Sequence, residues 1–309
     1  MIGNRLKNIG KSAVDNYLRW ELVKEWLSPL LKKPLPSDLP VLDLGKLSID
    51  SRSIVEGGWF LPIRGPNYDG HRFLSEVAQK GAVGAFVCEG FPVNNLTIPT
   101  VCVSDTKEAM LALARGWRSC LDQTKFLGIT GSVGKTTAKS LMSHILSQIS
   151  TVFASPGNFN NEFGVSLSLY QMPYDKSYGV FELGARHVKD IATLTKVVQP
   201  HVACLLNAGD AHVDIFGSKE RLLEAKFEIF SCSSNNSHLV YPAEDLRIVK
   251  KLKKLSHPRT SFGWNVGDVH VVGIHGHRVD IDILGAKKSF EVPFIHDGLV
   301  LNLIACIAM

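Results

Sequence analysis

One segment, GITGSVGKTTAKSLM (128–142), limits the possible folds more than any other part of the chain. An apolar strand pattern leads into it, and Ala138, Leu141 and Met142 recur after it at helical spacing. A strand, a glycine-rich turn, a lysine, two hydroxyls and a helix in this order are typical of a phosphate-binding loop. Backbone N–H groups and the positive end of the helix dipole hold phosphate oxygens in such loops. The segment therefore predicts a nucleotide site on an α/β sheet.

The loop has a shorter form of the motif, because Ile129 stands where the common pattern has a glycine. In this motif the lysine, here Lys135, reaches the terminal phosphates, and the next hydroxyl, Thr136, ligates Mg²⁺. A plain glycine turn is the competing interpretation, and it leaves the lysine and the hydroxyls unexplained. The predicted phosphate-binding residues are Gly131, Ser132, Val133, Gly134, Lys135, Thr136 and Thr137.

The order of strand and helix patterns predicts two domains, at 1–122 and 123–309. A helical lead-in (1–44) opens the first domain, and Asp105 is placed to cap a later helix there. In the second domain strands and helices alternate, which predicts a mainly parallel sheet. From about residue 261 the pieces VHVVGI, RVDIDIL and FEVPF alternate with period two and predict antiparallel strands at one edge. We expect an α/β fold in which a small substrate domain precedes a P-loop central domain.

Composition excludes several classes of protein without selecting one. Apolar residues make up 45% of the 309 residues and charged residues 20%, which is typical of a globular protein. No apolar stretch has the roughly 20 residues that a membrane span needs, and the first residues lack the apolar core of a secretory signal. The 6 cysteines form no CxxC pair, and the net charge of +5 is mild. We expect a cytoplasmic protein with no membrane span and no nucleic-acid partner.

Three polar residues downstream lie in apolar surroundings. Glu182 ends the strand pattern YGVFEL, at the edge where a parallel sheet presents its ligands. His212 follows the strand pattern HVACLLN, and Lys226 lies in the helical run KERLLEAKFEIF. Each also has an ordinary interpretation, as a surface carboxylate, a loop histidine and a helix lysine whose chain lies along apolar surface. Spacing alone does not decide between these interpretations.

The order of several motifs resembles the Mur ligases, ATP-dependent enzymes that form amide bonds in peptidoglycan precursor synthesis. These motifs are TGSVGKTT, SPGNFNNEFGVSLSL, FELGARH, NAGDAHVDIFGS and EAKFEIF. In the N-terminal part, DSR (50–52) and FLPIRGPNYDGHRF (60–73) resemble the domain that binds a uridine nucleotide-peptide. The ELGA tetrapeptide (182–185), with the doubled Asn160–Asn161, is most like one member of the family. That member joins D-alanyl-D-alanine to UDP-N-acetylmuramoyl-tripeptide through an acyl phosphate.

The resemblance implies a role for each matching residue. The loop holds the phosphates of ATP, Thr136 and Glu182 bind a first Mg²⁺, and His212 helps to hold a second. Lys226 matches a lysine that this family carbamylates, which turns a cation into an anion directed toward the metal. Lys135, Lys226 and His212 are the implied catalytic residues. The other implied residues are Asn207 near the nucleotide and, for the substrate, Asp50, Ser51, Arg52, Arg64, Asp69, His71, Asn160 and Asn161.

Departures from the family pattern leave alternatives open. Mur ligases have a third domain that contacts D-alanyl-D-alanine and closes over ATP, and no segment of this chain matches it. Gly298 stands where the family has a histidine, and Phe227 where this subfamily has a small residue. We therefore expect a monomeric ligase that has little activity by itself. The alternatives are a Mur ligase that adds the third amino acid of the peptide, and a non-catalytic module that binds nucleotide and UDP-peptide.

Overall fold

The computed structural model describes residues 17–209, 213–293 and 296–309. The chain divides into two compact units. The first unit runs to Asp122 and includes Ser166–Tyr174, and the second comprises Gln123–Val165 and Asp175–Met309. None of the helices in the described ranges combines the length and the apolarity that crossing a membrane requires.

The helices of the described ranges are α1 (Trp20–Leu27), α2 (Leu74–Gln79), α3 (Thr106–Cys120), α4 (Lys135–Ser147), α5 (Glu162–Tyr170), α6 (Asp190–Val198), α7 (Val213–Phe216), α8 (Lys219–Ser231), α9 (Leu246–Leu252) and α10 (Asp297–Ala308), with 3₁₀ turns at Leu44–Lys46 and Gly70–Phe73. The strands are β1 (Tyr17–Leu18), β2 (Leu42–Asp43), β3 (Leu47–Ser48), β4 (Trp59–Phe60), β5 (Arg64–Gly65), β6 (Tyr68–Asp69), β7 (Gly84–Cys88), β8 (Thr100–Val103), β9 (Lys125–Thr130), β10 (Val152–Ala154), β11 (Tyr178–Glu182), β12 (Val202–Leu205), β13 (His238–Pro242), β14 (Arg259–Gly263), β15 (Val269–His275), β16 (Arg278–Ile283) and β17 (Ala286–Glu291).

The first unit is built on four parallel strands in the order β3-β4-β7-β8. Its core packs Phe60, Leu74 and Val87 between the sheet and the adjoining helix α2. The cap predicted at Asp105 is confirmed, since its carboxylate accepts a hydrogen bond of 2.9 Å from the Glu108 N–H at the start of α3.

The predicted helical lead-in is shorter than expected within the described residues. Only Trp20–Leu27 is helical, and Leu18 belongs to strand β1, which pairs with β2. The helix ends at Leu27 although Ser28 still has helical φ and ψ, because the next residue, Pro29, has no N–H to continue the helical hydrogen bonds. Residues 1–16 lie outside the described ranges.

The second unit contains a nine-stranded sheet in the order β10-β11-β9-β12-β13-β14-β15-β16-β17. The strands from β10 to β15 pair in parallel, and β16 and β17 pair antiparallel at the far edge. Helices α4 and α10 cover one face, where Met142, Val180 and Ile304 are buried in a common core. The expected α/β class, with a mainly parallel sheet and an antiparallel edge, is confirmed.

Two strands differ from the sequence-based expectation. The third antiparallel strand is Ala286–Glu291 rather than FEVPF, because a tight turn at Leu284 and Gly285, both with positive φ, pairs Ala286 with Ile283 directly. Strand β14 is additional to the predicted strands, and its sequence RTSFG carries little apolar periodicity. It acquires its geometry by pairing with β13.

Strands β11, β9 and β12 are neighbours, and this order creates the edge at which the candidate site forms. The register pairs Glu182 with Ile129 and Leu205 with Thr130. The three carboxyl ends therefore meet at one edge, as parallel strands require. The Thr130 hydroxyl donates a hydrogen bond of 2.7 Å to the Leu183 carbonyl and ties two of these ends together.

Candidate active site

The glycine-rich loop connects β9 to α4 and depends on one backbone conformation. Gly134 has φ +84° and directly precedes the first helical residue, Lys135. A Cβ atom at Gly134 would lie 2.8 Å from Oδ1 of Asn302, a residue of α10. Both the positive φ and the close approach of α10 require glycine there. The sequence motif is therefore folded as a strand, a tight loop and a helix N-terminus, as predicted.

Asn207, which follows β12, closes one side of this loop. Its side-chain oxygen accepts hydrogen bonds from the N–H groups of Ser132 (3.0 Å) and Val133 (3.1 Å), and its amide donates to the Val133 carbonyl (3.1 Å). The Ser132 hydroxyl donates to the Gly209 carbonyl at 3.1 Å. Two of the N–H groups predicted to hold phosphate are thus bonded to Asn207 in this conformation.

The remaining donors of the loop lie at the start of α4. Within the described part of the chain, no acceptor is bonded to the backbone N–H groups of Lys135, Thr136 or Thr137. The Lys135 ammonium folds back over the loop and donates to the carbonyls of Gly131 (2.9 Å) and Ser132 (3.3 Å). Burial lowers the pKa of Lys135, and the charge of Glu182 opposes that shift. These groups form a concave set of donors suited to an anion.

Glu182 meets Thr136 beside these donors. The Thr136 hydroxyl donates to Oε2 of Glu182 at 2.7 Å, and the Asn160 amide donates to Oε1 at 2.7 Å. Asn160 is held in turn by Gly184, whose N–H donates to the Asn160 carbonyl at 2.7 Å. A Cβ at Gly184 would lie 2.7 Å from the Asn160 side-chain oxygen, so this close approach requires glycine. Glu182 is 2% exposed, which excludes the interpretation as a surface carboxylate.

Lys226, on α8, is a buried lysine. It is 1% exposed, and its ammonium makes no hydrogen bond or ion pair with any described residue. Burial and the nearby charge of Lys135 lower its pKa to about 8. The carboxylates of Asp190 and Glu228 oppose that shift, but both are bonded to backbone N–H groups at 2.7–2.9 Å. The ordinary interpretation, a lysine lying on the helix surface, does not fit this burial.

The predicted second-metal residue, His212, lies outside the described residues. Within the described ranges, no group of three or more histidine, cysteine, aspartate or glutamate side chains is gathered for a metal. The structure therefore brings together the first predicted pair, Thr136 and Glu182, and the second site stays a prediction.

A cavity of about 760 Å³ adjoins Asn207 and Gly209. Trp264, Leu246 and Arg247 contribute apolar and charged surface to its wall. A volume of this size and a mixed lining are typical of small-molecule sites. It lies on the same side of the second unit as the loop, since Asn207 lines the cavity and bonds to the loop.

Sequence reasoning missed one buried charge near the loop. Lys139, on α4, is 4% exposed and donates to the carbonyls of Ser155 (2.6 Å) and Gly157 (2.5 Å). Nothing in the sequence distinguishes this lysine from a surface residue of an amphipathic helix. Its position three residues after Thr136 was the only signal that could have indicated a role.

The doubled asparagines have different environments. Asn160 faces Glu182, whereas the Asn161 side-chain oxygen accepts from the Gly164 N–H at 2.8 Å, at the start of α5. In this structure Asn161 therefore has a local structural partner. Its role toward a substrate stays a prediction.

In the first unit, the DSR residues pair with each other. Arg52 donates to both carboxylate oxygens of Asp50, at 2.7 Å from Nη2 and 2.9 Å from Nε. This hydrogen bond and charge from Arg52 lower the pKa of Asp50 to about 2. Ser51, between them, is buried, and the Ser51 carbonyl accepts a hydrogen bond of 3.1 Å from the Lys80 ammonium.

The other predicted substrate residues of this unit form a second local cluster. Arg64 donates to Oδ2 of Asp69 at 3.0 Å, and Nδ1 of His71 lies 2.5 Å from Oδ1 of the same carboxylate. Nε2 of His71 accepts from the Cys88 N–H at 2.9 Å, so the proton of the neutral ring is on Nδ1. The His71 side chain is 0% exposed. Both ring nitrogens are thus engaged inside the fold, and Arg64 and Asp69 present the cluster's exposed surface.

Comparison with known proteins identifies the family. The Mur ligase middle domain matches residues 129–309, which contain the loop, Glu182 and Lys226. The chain belongs to the Mur ligase family, which confirms the resemblance of its motifs. The UDP-N-acetylmuramoyl-tripeptide–D-alanyl-D-alanine ligase of Synechocystis is 30% identical over 269 residues, which are 86% of this chain and 58% of that relative.

Solved structures of the family have the same fold. MurF from Acinetobacter baumannii superposes with a TM-score of 0.86 at 29% identity, over 96% of this chain and 65% of that one. A MurF ligase from Thermotoga maritima, solved in complex with ADP, gives a TM-score of 0.78 at 29% identity, over 86% of this chain and 62% of that one. The chain thus spans less than two thirds of the length of these relatives.

Proposed function

We propose that this chain acts as an ATP- and Mg²⁺-dependent ligase that joins D-alanyl-D-alanine to the peptide carboxylate of UDP-N-acetylmuramoyl-tripeptide. One observation carries the proposal: the Thr136 hydroxyl lies 2.7 Å from the buried Glu182 carboxylate, directly beside the open N–H groups of the loop. A phosphate site and a pair of oxygen ligands in contact are what a nucleotide with its metal needs. The named relative from Synechocystis supports this choice of substrates.

The residues present fit Mg²⁺ by their chemistry. Thr136 and Glu182 offer hard oxygen donors, and Asn160 orients the carboxylate from the other side. His212 is the proposed contact of a second ion. When bound, ATP supplies the phosphoryl group that activates the peptide carboxylate as an acyl phosphate, and Mg²⁺ offsets the negative charge of both partners. The N–H groups of Lys135–Thr137 and the Lys135 ammonium would hold the phosphates.

Lys226 is the proposed site of carbamylation. A lysine with a pKa of about 8 is partly neutral at physiological pH, and the neutral amine is the form that attacks CO₂. The nitrogen–carbon bond forms, one proton is released, and the side chain becomes an anion. An anion there removes the repulsion from Lys135 and favours a nearby metal. Burial without an ion pair to any described residue thus supports a modified rather than a charged lysine.

The substrate contacts are proposed for two groups of residues. Asp50, Ser51 and Arg52 would face the uridine end, and Arg64 and Asp69 the sugar-peptide part. The exposed carboxylate and guanidinium groups of both clusters support contact with a polar ligand. His71 would act by holding Asp69, since its own nitrogens are engaged. We propose a cytoplasmic location, where such a nucleotide-linked substrate is made.

A module that binds nucleotide and UDP-peptide with little turnover is the second candidate function. The open N–H groups at the start of α4 support nucleotide binding whether or not turnover follows. A Mur ligase that adds the third amino acid is less well supported, because the named relative adds D-alanyl-D-alanine.

Two measurements on the 309-residue chain test the proposal. Calorimetry with ATP and Mg²⁺ should show binding that Lys135→Met abolishes and that Lys196→Met, on the exposed side of α6, leaves unchanged. Mass spectrometry should then detect UDP-N-acetylmuramoyl-pentapeptide after incubation with the tripeptide, ATP and D-alanyl-D-alanine. Binding without any product favours the module. Failure to bind ATP contradicts the proposed function, and product from the dipeptide and diaminopimelate instead identifies the other ligase.

A further inference from the structure

Lys139 is a buried cation that the proposed mechanism does not use. It follows Thr136 by three residues and Lys135 by four, so all three lie on one side of α4. It is 4% exposed, and no carboxylate in the described ranges lies within ion-pair distance of its ammonium. A buried charge without a counter-charge destabilises a fold unless hydrogen bonds hold it.

The ammonium is held by the segment that connects β10 to α5. Nζ donates to the carbonyls of Ser155 at 2.6 Å and Gly157 at 2.5 Å. Such hydrogen bonds from a charged donor are about twice as strong as neutral ones. Three residues after Gly157, the same segment delivers Asn160, whose amide holds Glu182 at 2.7 Å. The hydrogen bonds of Lys139, the three-residue step from Gly157 to Asn160 and the hydrogen bond of Asn160 therefore link Lys139 to the proposed metal ligand.

The segment is held from two sides. On the side of the sheet, the Ser155 N–H donates to the Val180 carbonyl at 3.0 Å. On the side of α4, a cavity of about 490 Å³ borders the segment, lined by Thr136, Lys139, Ser155 and Gly157 among others, and Lys139 bonds to the segment beside it. Burial lowers the pKa of Lys139, and the charge of Glu182 opposes that shift. The ammonium and the carboxylate are therefore close enough to interact.

We propose that Lys139 is a positioning residue for the metal pair. Its ammonium fixes the 155–160 segment, and Asn160 then holds Glu182 in the orientation that Thr136 and Mg²⁺ need. This inference rests on the proposed function, and Lys139 bonds to the carbonyls of Ser155 and Gly157 rather than to the proposed metal ligands. The lysine thus acts through Asn160, and its loss should weaken the binding of metal more than the binding of nucleotide.

The test compares Lys139→Met, which keeps the length of the side chain without its donors, with Lys196→Met. ATP binding is measured by calorimetry with Mg²⁺ and again with EDTA. In Lys139→Met the Kd with Mg²⁺ should rise about tenfold or more, as for other residues that orient a metal ligand, and the Kd in EDTA should not change. Lys139→Arg, which restores charged donors, should recover much of the Mg²⁺-dependent affinity.

Two further readouts separate positioning from general stability. Hydrogen exchange of the Gly184 N–H, which bonds to the Asn160 carbonyl, should be faster in ligand-free Lys139→Met than in the unaltered chain. The effects of Lys139→Met and Asn160→Ala on Mg²⁺-dependent affinity should not add, because both act on Glu182.

The outcomes distinguish this inference from the proposed function. If Lys139→Met weakens ATP binding equally with Mg²⁺ and with EDTA, the lysine only stabilises the fold and the inference is overturned. If the unaltered chain binds no ATP at all, the proposed function fails, and the Gly184 exchange rate decides the inference: an unchanged rate overturns it, and a faster rate supports the tether to Asn160. Additive effects of the two substitutions also overturn it.

Discussion

The two regions that carry the predicted site residues differ in where their polar groups find partners. In the second unit, Thr136 and Glu182 are 46 residues apart in the sequence and meet at 2.7 Å. In the first unit, Asp50 pairs with Arg52, only 2 residues away. The Thr136–Glu182 contact needs the whole sheet of the second unit, whereas the Asp50–Arg52 pair needs only a turn.

The two regions also differ in burial. Glu182 and Lys226 are 2% and 1% exposed, whereas the side chains of Arg52 and Asp50 are 86% and 41% exposed. Burying a charge destabilises a fold, so a buried charge without a counter-charge indicates a site that is completed by a ligand or a modification. An exposed local pair adds little stability and mainly shapes its own loop. The comparison therefore supports the proposal that the chemistry lies in the second unit and the substrate contacts on the surface of the first.

The largest expected effect is the loss of activity in Lys226→Ala. If a carbamate on Lys226 supports the metal, product formation should fall about 100-fold or more, the range of residues that tune a metal site. A small added carboxylate, such as acetate or formate, should restore part of the activity by occupying the space of the carbamate. Product is measured by mass spectrometry.

Lys196→Ala is the control for that measurement, because Lys196 is an exposed lysine of α6 with no role in the site. Full activity of Lys226→Ala without added carboxylate would show that the residue is misassigned. It would also remove the main contrast between the two regions.

The second prediction concerns stability and its dependence on pH. Unfolding restores the Lys226 pKa from about 8 to its ordinary value of 10.5, so below pH 8 the folded state carries the full cost of the buried charge. Lys226→Met should then raise the free energy of unfolding at pH 7 by on the order of 2–3 kcal/mol. Between pH 8 and 10.5 the unaltered chain binds fewer protons folded than unfolded, so its own stability rises and the advantage of methionine shrinks.

Chemical denaturation in CO₂-free buffer at pH 7 and pH 10 measures this difference. An unaltered chain that is more stable than Lys226→Met at pH 7 would mean that the ammonium has a stabilising partner. The contrast in burial would then have no functional meaning at this residue.

Gly134→Ala tests the shape of the loop. The positive φ and the contact with Asn302 should introduce strain of about 1–3 kcal/mol, and roughly a tenfold loss of affinity for ATP is expected from it. Gly276→Ala is a matched control, since Gly276 also has positive φ (62°) and has no atom within 4 Å of the added Cβ. Calorimetry measures the affinity of both variants for ATP. Equal affinities in the two variants would show that the loop tolerates the side chain.

In the first unit, the largest effect should come from His71, whose side chain is 0% exposed. His71→Phe removes the acceptor of the Cys88 N–H and a partner of Asp69, so the free energy of unfolding should fall by about 1–2 kcal/mol. Thermal unfolding measures this loss of stability, and Arg64→Ala serves as the comparison at an exposed residue. An unchanged melting temperature would show that the His71 hydrogen bonds add no stability.

The smallest effect on stability should be that of Arg52→Ala. Its guanidinium is exposed and bonds only to Asp50 among the described residues, so the melting temperature should not change. Affinity for a uridine nucleotide, measured by calorimetry, should fall if Arg52 faces the substrate. A clear loss of stability would contradict the view that this pair only shapes its loop.

Local sequence signals predicted much of the fold because they report local physics. The Asp105 cap, the strand before the loop and the helix after it all depend on residues within a few positions. Strand β14 and the register of β17 could not be predicted in the same way. Pairing with β13 and the positive φ of Leu284 and Gly285 determine them.

The site was predictable in part for the same reason. Motif order predicted roles for Thr136, Glu182 and Lys226, but a motif does not show what a side chain contacts. Asn207 bonds to the loop rather than remaining open to a ligand, and for Lys139 the only signal was its spacing from Thr136. Both facts arise from contacts between segments that are far apart in the sequence.

The amino-acid sequence by itself determined the class of fold, the family and the loop with its lysine and hydroxyls, because spacing, glycine placement and motif order are properties of neighbouring residues. Only the tertiary structure decided which of the polar residues are buried and which pair with one another. Burial and pairing depend on the order β11-β9-β12 in the sheet, which brings the ends of three distant strands to one edge. At that edge Thr136 lies 2.7 Å from Glu182, and on α8 Lys226 is buried with no ion pair to any residue of the described ranges.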